Sequence, residues 1–209
     1  MHMETTFETL QFTIKSSILD RPRKLSIAPA YIEFDNRSSV GLEPTRFFKE
    51  DIEGVRYGIK AIDGYQFTIG RIYCIDICNA KGGTIKIRLK SLYGVRKTEL
   101  GRKYSEIVNA ILDYFFDAEI ISLLEKFVND ESFSILGVNF DARGFLLKKD
   151  SQLISWDDLG TKSYMSYYAM FSKSDPNYYR AFEYLNDWNT VILYSVSRQI
   201  LKEKGFWNE

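Results

Sequence analysis

The chain has 209 residues, with 28 basic and 28 acidic side chains, so its formal charge is zero. That balance excludes the large basic excess of a general nucleic-acid binder, and 45% hydrophobic with 27% charged residues is the composition of a soluble globular protein. The single histidine is His2, which leaves Ser-His-Asp triads, Cys-His pairs and His-ligated zinc without a candidate inside the fold.

In chain order, Phe7, Leu10, Phe12, Ile14 and Ile18 predict a loosely alternating strand over 7–18. A second strand is predicted over 24–34, with Pro29 bending it or placing it at a sheet edge, because proline removes a ladder donor. Residues 35–45 read as a loop. Strands follow at 54–62, 65–69, 71–79 and 84–90, separated by turns at Asp63-Gly64, Gly70 and Lys81-Gly82-Gly83. Cys74 and Cys78 share one face of the 71–79 strand with Asp76. Extended backbone holds their sulfurs roughly 13 Å apart, too far for a disulfide or a shared metal. They read as buried thiols of a reduced, cytoplasmic protein.

The period then changes. Tyr104, Ile107, Val108, Ile111, Leu112, Phe115 and Phe116 recur at helical spacing and predict an amphipathic helix over 104–116. A second helical stretch, about 118–128, carries Ile120, Ile121, Leu123, Leu124 and Phe127. It either continues the first helix or packs across a domain junction, and an exposed docking helix is a further reading. Asn129 and Asp130 signal its stop. Strands resume at 132–140, 143–149, 152–156, 160–171 and 178–185. A last helix is predicted over 187–204, capped by Asn186 or Asp187 and ended by Gly205. No run is long and apolar enough to be a membrane-spanning helix, and the acidic start METTFETLQF does not read as a secretory signal.

A repeat organises these elements. Phe47-Phe48-Lys49-Glu50-Asp51-Ile52 aligns with Ile154-Ser155-Trp156-Asp157-Asp158-Leu159, and Tyr57 with Tyr164 at the same offset. Each segment follows strands and precedes more strands and one helix. The expected domains are 1–117 and 131–209, joined by a connecting helix at 118–130. The predicted class is α+β, mainly β.

The segment 140–159, through Asp141, Gly144, Ile154, Trp156, Asp158 and Leu159, resembles the bacterial pleckstrin-homology-like pattern. The first copy departs from it, with Lys49 at the tryptophan position and a longer loop. The resemblance covers most of both halves through a short motif. It implies two bent antiparallel β-barrels of about seven strands, each closed by a C-terminal helix.

Two groups of residues are candidate binding sites. Lys15, Arg21, Arg23 and Lys24 surround the first hairpin, and several cations on one hairpin can hold a polyphosphate or an anionic lipid. Inositol-phosphate-binding members of the resembled family use similar spacing. Asp20 and Pro22 interrupt the group, so a solvated charged hairpin is the plain alternative. Tyr164, Tyr167, Tyr168, Phe171, Tyr178 and Tyr179 form an aromatic group around the turn 172–177. Read as one strand, Tyr164 and Tyr168 share a face with Met170, and Tyr167 and Phe171 share the other. Such patches mark interface centres, and packing between the two halves is the alternative. The acidic pairs Glu50-Asp51 and Asp157-Asp158 point to opposite faces of a strand and read as turn chemistry rather than catalysis. Gly82-Gly83 is a hairpin turn, not a phosphate loop.

The functional expectation is a non-enzymatic, cytoplasmic binding protein without cofactor or metal, recognising a protein partner or itself, in the manner of a dedicated inhibitor or immunity protein. The alternative is peripheral binding of anionic phospholipid through the basic hairpin. Carboxylate, Tyr or Lys catalysis is the third reading.

Overall fold

Alternation is most regular in Thr84–Leu92, where every second side chain is buried, and this strand shows how the rest is built. The computed structural model describes residues 8–15, 21–35, 43–148, 152–175 and 177–206. The chain divides into two compact units, Met1–Phe116 and Asp117–Glu209.

In the first unit, β1 (Leu10–Ile14), β2 (Arg23–Ala28), β3 (Tyr31–Phe34) and β4 (Thr45–Phe48) form one antiparallel meander. A 3-10 turn at Lys49–Asp51 leads to a second meander of β5 (Ile52–Asp63), β6 (Thr68–Asn79) and β7 (Thr84–Leu92). Helix α1 (Lys97–Ile111) and a π-helical turn at Leu112–Phe116 complete the unit. Ile27, Ile32, Ile75, Ile87, Ile107 and Ile111 are fully buried.

The second unit opens with α2 (Asp117–Val128) and then repeats the strand order. Strands β8 (Phe133–Ile135), β9 (Val138–Asp141), β10 (Gly144–Leu146) and β11 (Ile154–Ser155) form a four-stranded meander. Strands β12 (Leu159–Ser163), β13 (Tyr167–Ser172) and β14 (Tyr179–Glu183) form a three-stranded one, and α3 (Thr190–Glu203) follows. The fold is therefore mainly β within the α+β class: four antiparallel sheets, two per unit. Among the described residues no pairing joins the sheets of a unit into a closed barrel.

Several local expectations are corrected. Residues 24–34 are two strands, because Pro29-Ala30 is a two-residue turn that pairs Ala28 with Tyr31; proline presets the turn dihedral instead of bending one strand. Gly70 is inside β6, not a turn: a Cβ there would stand 2.3 Å from the Ser91 carbonyl of β7. Residues 160–171 are a hairpin, with Tyr164 N–H donating to Tyr167 C=O at 2.9 Å. Helix α1 begins at Lys97, seven residues before the periodic stripe, since its first turns present mostly polar side chains and bury only Leu100. Asp187 does not cap α3. Its carboxylate accepts the Glu183 N–H at 2.7 Å, and Asn189, left-handed at φ 63°, precedes the helix. Gly205 ends α3 as expected, at φ 74°, with the paired bonds Gly205 N–H to Lys202 C=O and Phe206 N–H to Leu201 C=O.

Four of the residues that carried the family resemblance, Asp141, Gly144, Ile154 and Trp156, form one structural node. The Trp156 indole N–H donates to the carbonyls of Asp141 and Ala142, both at 3.1 Å, across the turn between β9 and β10. Its ring packs against Phe127 (5.3 Å), Phe145 (5.9 Å) and Phe140 (6.1 Å). Gly144 lets β11 approach, since a Cβ there would stand 2.0 Å from the Ile154 carbonyl oxygen. Phe127 is the buried residue of α2, so this helix packs on its own unit and Ile121 remains exposed.

Candidate functional site

The three-stranded sheet β12-β13-β14 sorts the aromatic group by strand parity. Tyr168, Met170 and Ser172 point to the core. Tyr168 is buried, and its hydroxyl bonds Ser197 Oγ at 2.7 Å, while burial pushes its pKa up to about 12. It is a core residue. Tyr167, Ala169 and Phe171 project from the other face, in register with Glu183, Ala181 and Tyr179. Phe171 lies over Gly160, where a Cβ would meet its ring at 2.3 Å. Aromatic cover of a strand glycine holds that ring flat on the sheet.

Tyr164 departs from its expected face. It sits in the β12–β13 turn and stacks on Tyr167 with ring centroids 4.5 Å apart, and the Lys162 ammonium stands 5.1 Å from its ring centre. A turn rotates the side chain out of strand alternation, which is why reading 160–171 as one strand placed it with Tyr168. Met165, in the same turn, is also exposed. The outer face therefore carries Tyr164, Tyr167, Phe171 and Tyr179 around a floor of Ala169 and Ala181, with Lys162 and Glu183 as its charges.

Tyr178 belongs elsewhere. It lines an open groove of about 490 Å³ with Leu153, Ser155, Asp158, Ser174 and Asp175. Its hydroxyl is buried and has no hydrogen-bond partner among the described residues. Asp158 organises the rim by accepting Ser172 Oγ at 2.5 Å, Ser174 N–H at 2.8 Å and Ser174 Oγ at 3.0 Å. The Ser172 hydroxyl, followed by the Ser174 backbone and hydroxyl, holds the Asp158 carboxyl below its usual range.

In the first unit, the tip of the basic hairpin, residues 16–20 with Asp20, lies outside the described residues. Arg21 grips Asp35 in a two-pronged ion pair at 2.6 and 2.8 Å, which commits its guanidinium within the fold. Lys15 and Lys24 are exposed, and Arg23 is half-buried opposite Ile14.

Sequence reasoning overlooked the outer face of the first unit's three-stranded sheet. Arg56, Asp76 and Lys86 stand in one row, and Gly58, Cys74 and Arg88 in the next. Asp76 is buried between Arg88 (2.5 Å) and Arg56 (3.2 Å). Lys60 and Lys90 flank Ile72 in the following row. The alternating cations of β7, Lys86, Arg88 and Lys90, were a legible signal for this face. Burial raises both thiols on it, Cys74 and Cys78, and both are free.

Tyr104, beside Tyr57 (6.2 Å) and Tyr73 (5.2 Å), is driven upward by burial and stays a neutral phenol. Among the described residues no cluster of three or more His, Cys, Asp or Glu is placed to hold a metal ion. Among the described residues no helix is long and apolar enough to cross a membrane. No protein-family model matches the chain, and no curated protein matches it.

Proposed function

We propose that the protein is a non-enzymatic binding protein of two pleckstrin-homology-like units. It takes up a protein partner, or a second copy of itself, on the outer face of the β12-β13-β14 sheet. The observation that carries this reading is the Tyr164–Tyr167 stack and the exposed Tyr179 on a sheet face whose opposite side is already the core. Rigid aromatic rings bury large area at low entropic cost, and a floor of alanines lets a partner approach closely. The four-plus-three strand order followed by a helix, present in each unit, supports the pleckstrin-homology-like reading. A single-purpose inhibitor or immunity protein of the cytoplasm fits the same features.

The test compares the intact protein with a Tyr167→Ser, Tyr179→Ser variant, both positions being outside the core. In sedimentation and in capture from source cells, the parent should self-associate or retain one stoichiometric protein that the variant loses. A parent that is monomeric and captures no stoichiometric protein overturns the proposal.

A further inference from the structure

The first unit carries a second exposed aromatic cluster, on different elements and of different chemistry. The β5–β6 turn and the β7–α1 turn stand side by side, tied by the Tyr93 N–H to Ile69 C=O bond at 2.8 Å. From these two turns project Tyr65, Phe67, Tyr93 and Val95, which are 99%, 67%, 75% and 59% exposed. Their display is built into the backbone. Tyr93 and Arg96 are left-handed at φ 49° and 54°, a conformation that L side chains rarely adopt, and Gly94 between them takes it freely at φ 73°. Val95 N–H to Leu92 C=O (2.9 Å) and Ser91 Oγ to Val95 C=O (2.8 Å) hold the turn in that shape.

Behind the apolar tip stand cations. Arg71 and Lys97 line a groove of about 390 Å³ together with Phe67 and Tyr93. Lys60 and Lys90 stand in register across Ile72, on the sheet face opposite Arg71, so the tip has cations behind it on both faces. None of these four forms an ion pair among the described residues. Of the acids on these turns, Glu99 pairs with Arg96 at 2.5 and 2.7 Å, and Asp63, which accepts Thr68 Oγ1 at 3.0 Å, keeps its charge beside the four cations.

The geometry points to a peripheral membrane anchor: the first unit docks on an anionic phospholipid surface by inserting the tip of Tyr65, Phe67, Tyr93 and Val95, while Lys60, Arg71, Lys90 and Lys97 meet the headgroups. Amphipathic tyrosine rings suit the water–hydrocarbon boundary, and clustered lysines and arginines are drawn to the negative leaflet. The charge complementarity selects a bilayer as the occupant. This site shares no residue with the basic hairpin and is independent of the aromatic face in the second unit.

The test is co-sedimentation of the full chain with vesicles of phosphatidylcholine alone, and with roughly three-tenths phosphatidylglycerol, at low and high salt. The parent should bind the anionic vesicles and release them as salt rises. Phe67→Ser with Tyr93→Gly, and separately Lys60→Glu with Lys90→Glu, should each weaken binding by at least about tenfold. Tyr93→Gly also relieves the left-handed backbone, so a retained thermal midpoint separates lost docking from lost folding. Lys15→Glu with Lys24→Glu should bind as the parent does. A parent that ignores anionic vesicles, tip variants that bind unchanged, or loss confined to the Lys15/Lys24 variant would each overturn the anchor.

Discussion

Asp51 and Asp158 hold one position in two copies of a fold: the Asp51 carbonyl accepts the Ala80 N–H at 3.0 Å, and the Asp158 carbonyl accepts the Lys173 N–H at 2.8 Å. In each unit the next residue, Ile52 or Leu159, opens the fifth strand and pairs with the residue before that donor, Asn79 or Ser172. The backbone bond is the same in both units while the side chains differ. The Asp51 carboxylate takes the Lys81 ammonium at 2.9 Å, whereas that of Asp158 gathers Ser172 and Ser174.

The Asp158 carboxyl is held below its usual range, so it contributes stability that is complete above the unfolded carboxylate pKa and is lost as pH falls through the lower folded value. Asp158→Ala should lower unfolding free energy by about 1 kcal/mol at neutral pH, and its cost should shrink below about pH 4. Denaturant titrations at neutral and acid pH measure both; an equal cost at every pH would contradict the assignment.

Trp156→Phe keeps an aromatic ring among Phe127, Phe140 and Phe145 but removes the N–H that satisfies the Asp141 and Ala142 carbonyls. The expected loss is roughly 1–3 kcal/mol, and Trp156→Ala should cost about 3–5 kcal/mol through the cavity it leaves. Chemical denaturation of the two variants gives the ranking directly.

Helix α2 ends with Asp130 left-handed at φ 58°, with bonds from Asp130 N–H to Phe127 C=O and from Glu131 N–H to Lys126 C=O. That is the helix stop in which glycine is the unstrained residue. Asp130→Gly should raise stability by about 0.5 kcal/mol, seen as a higher thermal midpoint; a fall would mean the aspartate side chain matters more than its backbone.

Cys74 is buried and Cys78 half-buried on one face of β6, and burial raises both thiols. A thiol reagent at neutral pH should label Cys78 slowly, and Cys74 only on unfolding. Mild oxidation of the folded chain should give no intramolecular disulfide. Mass spectrometry after timed labelling distinguishes the two sites.

How much was legible follows from what each pattern measures. Period two in Thr84–Leu92 and period 3.6 along Ile107–Ile111 are imposed by burial on one side, so the sequence displays them wherever a face is covered. The four-residue-spaced cysteines, the Gly205 stop and the alignment of Asp51 with Asp158 were visible for the same local reasons. Lys97–Lys103 was missed because a helix turn with mostly polar side chains carries little apolar stripe. Tyr164 was assigned to the wrong face because a turn breaks parity without announcing itself in composition.

By itself the amino-acid sequence determined the class, the doubled run of strands then helix, and the absence of any imidazole after His2. Only the tertiary structure decided which aromatics are core and which stand free, because side chains a few residues apart part company when a hairpin closes. Tyr168 meets Ser197, Tyr164 meets Tyr167, and Tyr65 and Tyr93 stand in solvent on two neighbouring turns. Those fates depend on pairing between distant strands, and no local spacing encodes a partner that the chain reaches only by folding back on itself.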